Sequence, residues 1–185
     1  MEKRKKKPGM GKAKGGAFER KICKMLSLWL SEGESTDLFV RSSSSGARAT
    51  ITYQTSGTKL KSQASDIAST GDDQRGGAFT REFAIETKHY ADINMLGFIC
   101  GSKTGLGSFW EQVCKDGSIF DKKPLLIVRE NGKCILMCIN RSGYSFFKDL
   151  YGPLLPVICV FPGSDLYILK FEEFLNFADP KALLI

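Results

Sequence analysis

The chain has little histidine and no long apolar run. With one histidine and no closely spaced Cys/His pairs that repeat, it lacks the usual pattern of a zinc site. No apolar stretch approaches the ~20 residues that a transmembrane helix needs, and no apolar segment of a signal peptide follows the basic start. We therefore expect no membrane association. The six cysteines lie mostly in apolar segments, which favours buried free thiols in a reducing cytoplasm.

Acidic residues are scarce at the start of the chain. Residues 1–24 hold ten lysines and arginines but two acids, whereas the remainder is close to neutral. Such a basic segment is typical of nucleic-acid binding, with Lys12, Lys14 and Arg20 as candidate DNA contacts. A solvated tail that only aids solubility is the alternative. We expect residues 1–15 to be a disordered basic tail and residues 16–185 to form one domain.

The first predicted helix runs from Gly15-Gly16 to about Leu30. Its apolar residues recur at the helical spacing, and Glu19 falls inside this apolar arc. An inward carboxylate is costly unless it has a partner, so Glu19 is a candidate for a metal site. The alternative is that Glu19 only complements the positive end of the helix dipole.

Residues 83–88 alternate between apolar and polar side chains, as in a strand with one buried face. Glu86 and Lys88 should share a face, with Phe83 and Ile85 on the other. Asp66 lies in a short apolar run that we expect to pair beside this strand as a hairpin. Two carboxylates and a lysine would then meet at one place.

This set of side chains suits phosphodiester hydrolysis. Mg²⁺ prefers oxygen ligands, which Asp66, Glu86 and the Thr87 carbonyl would supply, with Glu19 as a further ligand. Lys88 would orient the attacking water and offset charge in the transition state. An ordinary surface ion pair between Glu86 and Lys88 is the alternative.

The other predicted elements surround this strand. A strand at Leu38–Arg41 precedes a long polar loop, 42–64, in which Arg48, Lys59 and Lys61 could close over a phosphate backbone. Another polar stretch, 69–77, follows Asp66. A capping box predicts a second helix from Ser108, and Asn131-Gly132 predicts a hairpin between strands 124–129 and 133–139. Two further strands, 154–161 and 166–171, precede a short helix, 172–177.

The ordered set resembles the PD-(D/E)xK nuclease superfamily, and within it the archaeal-type Holliday junction resolvases, so that a phage-encoded relative is one candidate identity. The segment 14–20 is similar to their opening helix with its catalytic glutamate. Asp66 and Glu86-Thr87-Lys88 match the metal-binding core. Ser65 stands before Asp66 where the superfamily motif has proline, and both loops between the motif segments are longer than in compact resolvases.

The resemblance implies a restriction-endonuclease-like α/β core with a mixed central β-sheet flanked by helices. This core would cover about 16–139, with a C-terminal extension of about 140–185. The resemblance also implies that Arg41 and Ser45 belong to the active site and that Gln112 contacts it. The implied cofactor is Mg²⁺, for which Mn²⁺ would substitute, and the implied partners are branched DNA and a second copy of the chain. The implied setting is a prokaryotic or phage-infected cytoplasm.

Three functions follow from these observations. The first is a metal-dependent DNA endonuclease that cuts branched DNA in recombination or repair. The second keeps the chemistry but acts on linear duplex or DNA ends, as restriction or phage nucleases do. The third is a non-catalytic nucleic-acid-binding protein whose basic segment contacts phosphates.

Overall fold

The computed structural model describes residues 10–42, 65–70 and 74–184. The helices have apolar residues at helical spacing, and the strands are short apolar runs bounded by turns. In chain order, the elements are α1 (Met10–Leu30), β1 (Phe39–Arg41), β2 (Ile67–Ser69), α2 (Gln74–Glu82), β3 (Phe83–Tyr90), α3 (Met95–Ile99), α4 (Leu106–Phe120), β4 (Lys123–Glu130), β5 (Ile135–Ile139), α5 (Arg141–Tyr151), β6 (Val157–Phe161), β7 (Leu166–Lys170) and α6 (Phe171–Phe177). Short 3₁₀ turns occupy Pro162–Ser164 and Pro180–Leu184.

The central sheet has five strands in the order β3-β4-β5-β7-β6. β3 and β4 are parallel, and the other pairs are antiparallel. A parallel pair needs a long crossover, which α3 and α4 supply. The predicted α/β fold with a mixed central sheet flanked by helices is therefore confirmed. β3 is an edge strand of this sheet, so its outer backbone groups are open to the segment around Asp66.

Two apolar clusters cover the two faces of the sheet. The larger cluster joins α1, α2, α5 and α6 to one face and includes Ile22, Leu26, Phe83 and Phe147. The smaller cluster packs α4 onto the opposite face through Trp110 and its neighbours. Because helices cover both faces, β3 and β4 are buried along most of their lengths, as parallel strands usually are.

The helix that carries Glu19 begins at Met10, five residues before the predicted start. It therefore includes the second part of the segment expected to be a tail. Residues 1–9 lie outside the described residues. The second predicted helix, α4, begins at Leu106 rather than Ser108. Its cap is Gly105, whose carbonyl accepts a hydrogen bond from the Ser108 hydroxyl at 2.9 Å.

One expectation around Asp66 is wrong. The run after Asp66 does not form a hairpin with β3, because β2 pairs antiparallel with β1 in a separate two-stranded sheet. The polar stretch before β3 also leads into a helix that was not predicted, α2 at Gln74–Glu82. Phe79 explains this helix: it is fully buried and packs its ring against Phe39 and Phe83.

Residues 140–184 contribute to the same layers as the preceding chain. β7 lies between β5 and β6 in the central sheet, and the α6 side chain Phe174 packs against Phe147 in the larger apolar cluster. The Trp29 indole N–H of α1 also donates to the Ala178 carbonyl at 2.7 Å. These contacts tie the later residues to the first helix.

All six cysteines are free. Cys23 and Cys138 are buried and two others are half-buried, but Cys100 and Cys134 are exposed, so the expected burial is wrong for these two. Among the residues that the structure describes, none of the helices combines the length and apolar character that crossing a bilayer requires.

Candidate active site

The strand β3 carries two different rows of side chains. Phe83 and Ile85 lie in the cluster beneath α1, on the face where the His89 ring packs 5.1 Å from that of Phe18. Glu86 and Lys88 face α4 instead, as their spacing predicts. The expectation of one buried face is wrong, because the Glu86 side is also covered and that residue is 7% exposed. The polar row therefore lies between a sheet and a helix.

Asp66 is held against the open edge of β3 by hydrogen bonds. Its backbone N–H donates to the Ile85 carbonyl at 2.9 Å. Its carboxylate accepts from the Thr87 N–H at 3.0 Å and from the Thr87 hydroxyl at 3.4 Å. Because N–H and C=O of a strand residue are directed to the same edge, the Thr87 carbonyl is directed to the Asp66 side as well.

Ser65 is a site residue that sequence reasoning missed. It is buried, and its hydroxyl accepts a hydrogen bond from the Ile85 N–H at 2.9 Å. Ser65 and Asp66 together therefore use both backbone groups of Ile85, which fixes the segment against β3. The departure from proline at this position was the available signal, since proline carries no such acceptor.

Glu86 forms the centre of the polar contacts on the α4 side. The Lys88 amine donates to its carboxylate at 2.5 Å, and the Gln112 amide donates to the same oxygen at 3.4 Å. The Lys88 amine also lies 5.8 Å from the centroid of the Phe109 ring. The predicted contact of Gln112 with the site is therefore present in the structure, through Glu86.

Burial and mutual repulsion disturb the titration of this group of side chains. Burial, followed by the charge of Asp66, raises the pKa of Glu86 to about 7, against the lowering effect of Lys88. Burial also raises the pKa of Asp66, partly offset by the Thr87 hydrogen bond. Burial alone would lower the pKa of Lys88, but the two carboxylates raise it above its ordinary value. The charge of Lys88 thus interacts with two carboxylates, that of the buried Glu86 and that of the half-buried Asp66.

Glu19 lies on the α1 side of the sheet edge and forms an ion pair with Arg41 of β1. Its charge still reaches Asp66, whose pKa it raises. Gly16 leaves room for this pair, because a Cβ there would lie 3.2 Å from an Arg41 guanidinium nitrogen. The pairing with Arg41 gives Glu19 the partner that its inward position requires.

The carboxylates do not form a ready three-ligand group. In the ranges 10–42, 65–70 and 74–184, no three His, Cys, Asp or Glu side chains are placed so that they could hold a metal together. The Glu86 side chain lies on the α4 face of the sheet, Asp66 lies at the open edge of β3, and Glu19 lies on the α1 face. The donor set nevertheless fits a divalent cation such as Mg²⁺, which is held by one or two carboxylates and keeps several waters. Asp66 and Glu86, both with raised pKa, are the acids that such an ion would neutralise.

The candidate DNA contacts fall into three groups. Lys14 donates to the Asn131 side-chain carbonyl at the β4–β5 turn. Arg20 and Arg41 line one surface groove between α1 and β1. The remaining DNA-contact candidates lie outside the described residues or have side chains that do: Lys12, Arg48, Lys59 and Lys61. The active-site candidate Ser45 also lies outside the described residues.

A model of the family described as phage putative PDDEXK endonuclease matches residues 10–182, which is most of the chain. The chain belongs to that family. No curated protein and no solved structure matches it. Membership in the phage putative PDDEXK endonuclease family confirms the expected superfamily and supports a nuclease that acts on DNA. Nucleases of this superfamily generally use divalent metal ions. The match extends beyond residue 139 and so includes the strands and helices that follow β5.

Proposed function

We propose that this protein is a Mg²⁺-dependent endodeoxyribonuclease that recognises branched DNA. The observation that carries the proposal is the contact set at the β3 edge: Asp66 bound to Thr87, beside Glu86 bound to Lys88. The branched substrate and a paired arrangement of two copies rest on the resemblance of the opening helix and the metal-binding core to those of resolvases. Mn²⁺ is expected to replace Mg²⁺.

Each side chain has a role that follows from its position. Asp66, Glu86 and the Thr87 carbonyl would hold the cation, which lowers the pKa of a bound water and polarises the phosphoryl group. The Lys88 amine, hydrogen-bonded to Glu86, would orient the attacking water and offset negative charge on the phosphorane. Gln112 would help to orient Glu86 through the oxygen that Lys88 also binds, and Arg41, positioned by Glu19, would contact a flanking phosphate.

The test is cleavage of equal-length four-way junction, flap, nicked and linear duplex DNA with and without Mg²⁺. Asp66→Ala, Glu86→Ala and Lys88→Ala should each lose activity, by roughly 10²-fold or more, while DNA binding survives. Lys170→Ala is the matched control, because Lys170 forms an exposed ion pair with Glu173 at 2.7 Å. Normal cleavage by the Lys88 variant would refute its role, and preference for linear duplex would refute the branched substrate.

A truncation separates this proposal from a non-catalytic DNA-binding protein. Residues 1–9 precede α1 and contain five lysines and arginines. Removing them should weaken binding in a salt-dependent way and leave the cleavage chemistry intact at saturating protein. If residues 1–9 carried the whole function, the truncated protein would neither bind nor cleave DNA.

A further inference from the structure

Tyr90 continues the row of side chains that Glu86 and Lys88 begin on β3. Residues two apart in a strand share a face, so all three side chains are directed to the α4 side. At ~3.3 Å per residue, the Tyr90 Cα lies about 7 Å from that of Lys88. Tyr90 is 47% exposed, whereas Glu86 in the same row is 7% exposed. An open aromatic side chain therefore lies next to the proposed catalytic amine.

The Tyr90 ring has a firm support behind it. The Phe109 ring of α4 lies 4.7 Å away between centroids, with an interplanar angle of 35°. The Tyr90 carbonyl accepts a hydrogen bond from the Asn131 N–H at 3.0 Å, which fixes the backbone at the end of the strand. A ring that is supported from behind and from its backbone loses little conformational freedom when a ligand stacks on it.

One amine lies beside this pair of aromatic rings, and a second lies at the same end of β3 on the α1 side. The Lys88 amine lies 5.8 Å from the Phe109 centroid, and the Lys14 amine is bound to the side chain of Asn131, next to the Tyr90 backbone. Aromatic side chains that stack on bases, together with cations that follow the phosphates, are the features that proteins use to bind unpaired nucleic acid. In a paired duplex, both faces of each base are covered by neighbouring bases, and unstacking one costs energy.

On the proposed nuclease function, we propose that Tyr90 stacks on an unpaired base next to the scissile phosphate. The preferred substrate is then DNA with an unpaired nucleotide at the cleavage site, such as a flap, a fork or an open branch point, rather than continuous duplex. Tyr90 would act as a specificity residue in substrate binding, and Glu86 and Lys88 would perform the same chemistry on any phosphate that reaches them.

Binding in EDTA tests this inference without cleavage. Wild-type protein, Tyr90→Ala, Tyr90→Leu and Tyr90→Phe are titrated with a forked oligonucleotide and with a fully paired duplex of equal length. Loss of stacking should weaken fork binding by about 5- to 100-fold for the Ala and Leu variants, with little change for duplex. The Phe variant should bind as the wild type does. Phe177→Ala is the matched control, because Phe177 of α6 is also partly exposed, at 41%.

A fluorescent base analogue at the unpaired position gives a second readout. Stacking on Tyr90 should change its fluorescence on binding, and the change should disappear in Tyr90→Leu, which keeps apolar contact with Phe109 but has no aromatic face. The inference would be overturned if the Tyr90 variants lost affinity equally for fork and duplex, or lost affinity for neither. Either result would mean that Tyr90 does not stack on an unpaired base, and that it only covers Phe109 or docks a protein. Absence of Mg²⁺-dependent cleavage by the wild type would refute the proposed function instead.

Discussion

The raised pKa of Glu86 predicts that the metal-free protein becomes less stable as the pH rises from about 4.5 to about 7. The ordinary pKa of the group is 4.5, and burial together with Asp66 raises it to about 7 in the folded protein. Below pH 4.5 the carboxyl is protonated in both folded and unfolded chains, so it contributes no difference. As the pH rises, the unfolded chain loses this proton first, which favours unfolding until the folded protein ionises near pH 7.

The size of this effect follows from the same shift. A pKa raised by between two and three units costs about 3 kcal/mol of folding free energy once the pH exceeds 7. Glu86→Gln should remove most of that cost, although it also leaves Lys88 without its carboxylate partner. We therefore expect a net gain of ~2 kcal/mol at pH 8, or roughly 4–8 °C in Tm for a domain of this length.

Urea and thermal unfolding in EDTA between pH 5 and pH 8 measure the prediction. The stability of the wild type should fall across this range more steeply than that of Glu86→Gln, and the two should converge toward pH 5. Glu173→Gln is the matched control, since its carboxylate is exposed in the pair with Lys170. Mg²⁺ should stabilise the wild type more at pH 8 than it stabilises Glu86→Gln. Equal pH slopes, or a less stable Glu86→Gln at pH 8, would contradict the argument.

Three further predictions follow from the described contacts. Ser65→Ala removes the acceptor of a buried β3 N–H and should lower the free energy of unfolding in urea by ~1–3 kcal/mol. It should also reduce cleavage, because the segment that carries Asp66 is then held less firmly against β3. Ser65→Thr keeps the hydroxyl and should retain cleavage. Arg41→Gln breaks the ion pair with Glu19 and should raise KM for DNA more than it lowers kcat in steady-state cleavage; an unchanged KM would argue against phosphate contact. Phe147→Ala should cost ~3–5 kcal/mol in the same unfolding assay, because that ring is fully buried, whereas Leu154→Ala, 81% exposed, should cost little.

Local patterns in the sequence predicted several elements because their causes are local. The Asn131-Gly132 turn joins β4 to β5 as expected, since Gly132 adopts the positive φ of 72° that such a hairpin turn needs. The helical spacing of apolar residues likewise predicted α1. The partners of β2 were beyond reach, because strand pairing between segments far apart in the chain leaves no local trace. α2 was also missed, since its two glycines conceal a helix that the packing of Phe79 stabilises.

The candidate site shows why a functional strand misleads a pattern-based prediction. Alternation in β3 indicated one solvent-facing side, yet Glu86 is buried under α4. Its polar character reflects the proposed chemistry rather than contact with water. Sequence patterns suggested Asp66, Glu86 and Lys88 as candidates, but they could not show that Glu19 pairs with Arg41, because that contact depends on tertiary packing.

The position of β7 inside the central sheet has a consequence for translation. A nascent chain that has emerged only as far as β6 lacks β7, the strand that lies between β5 and β6. Until β7 is synthesised, β6 therefore has no strand with which to pair. Translation that stops before residue 166 would therefore release a polypeptide in which the outer edge of β5 is unpaired. Such an edge is prone to associate with other chains.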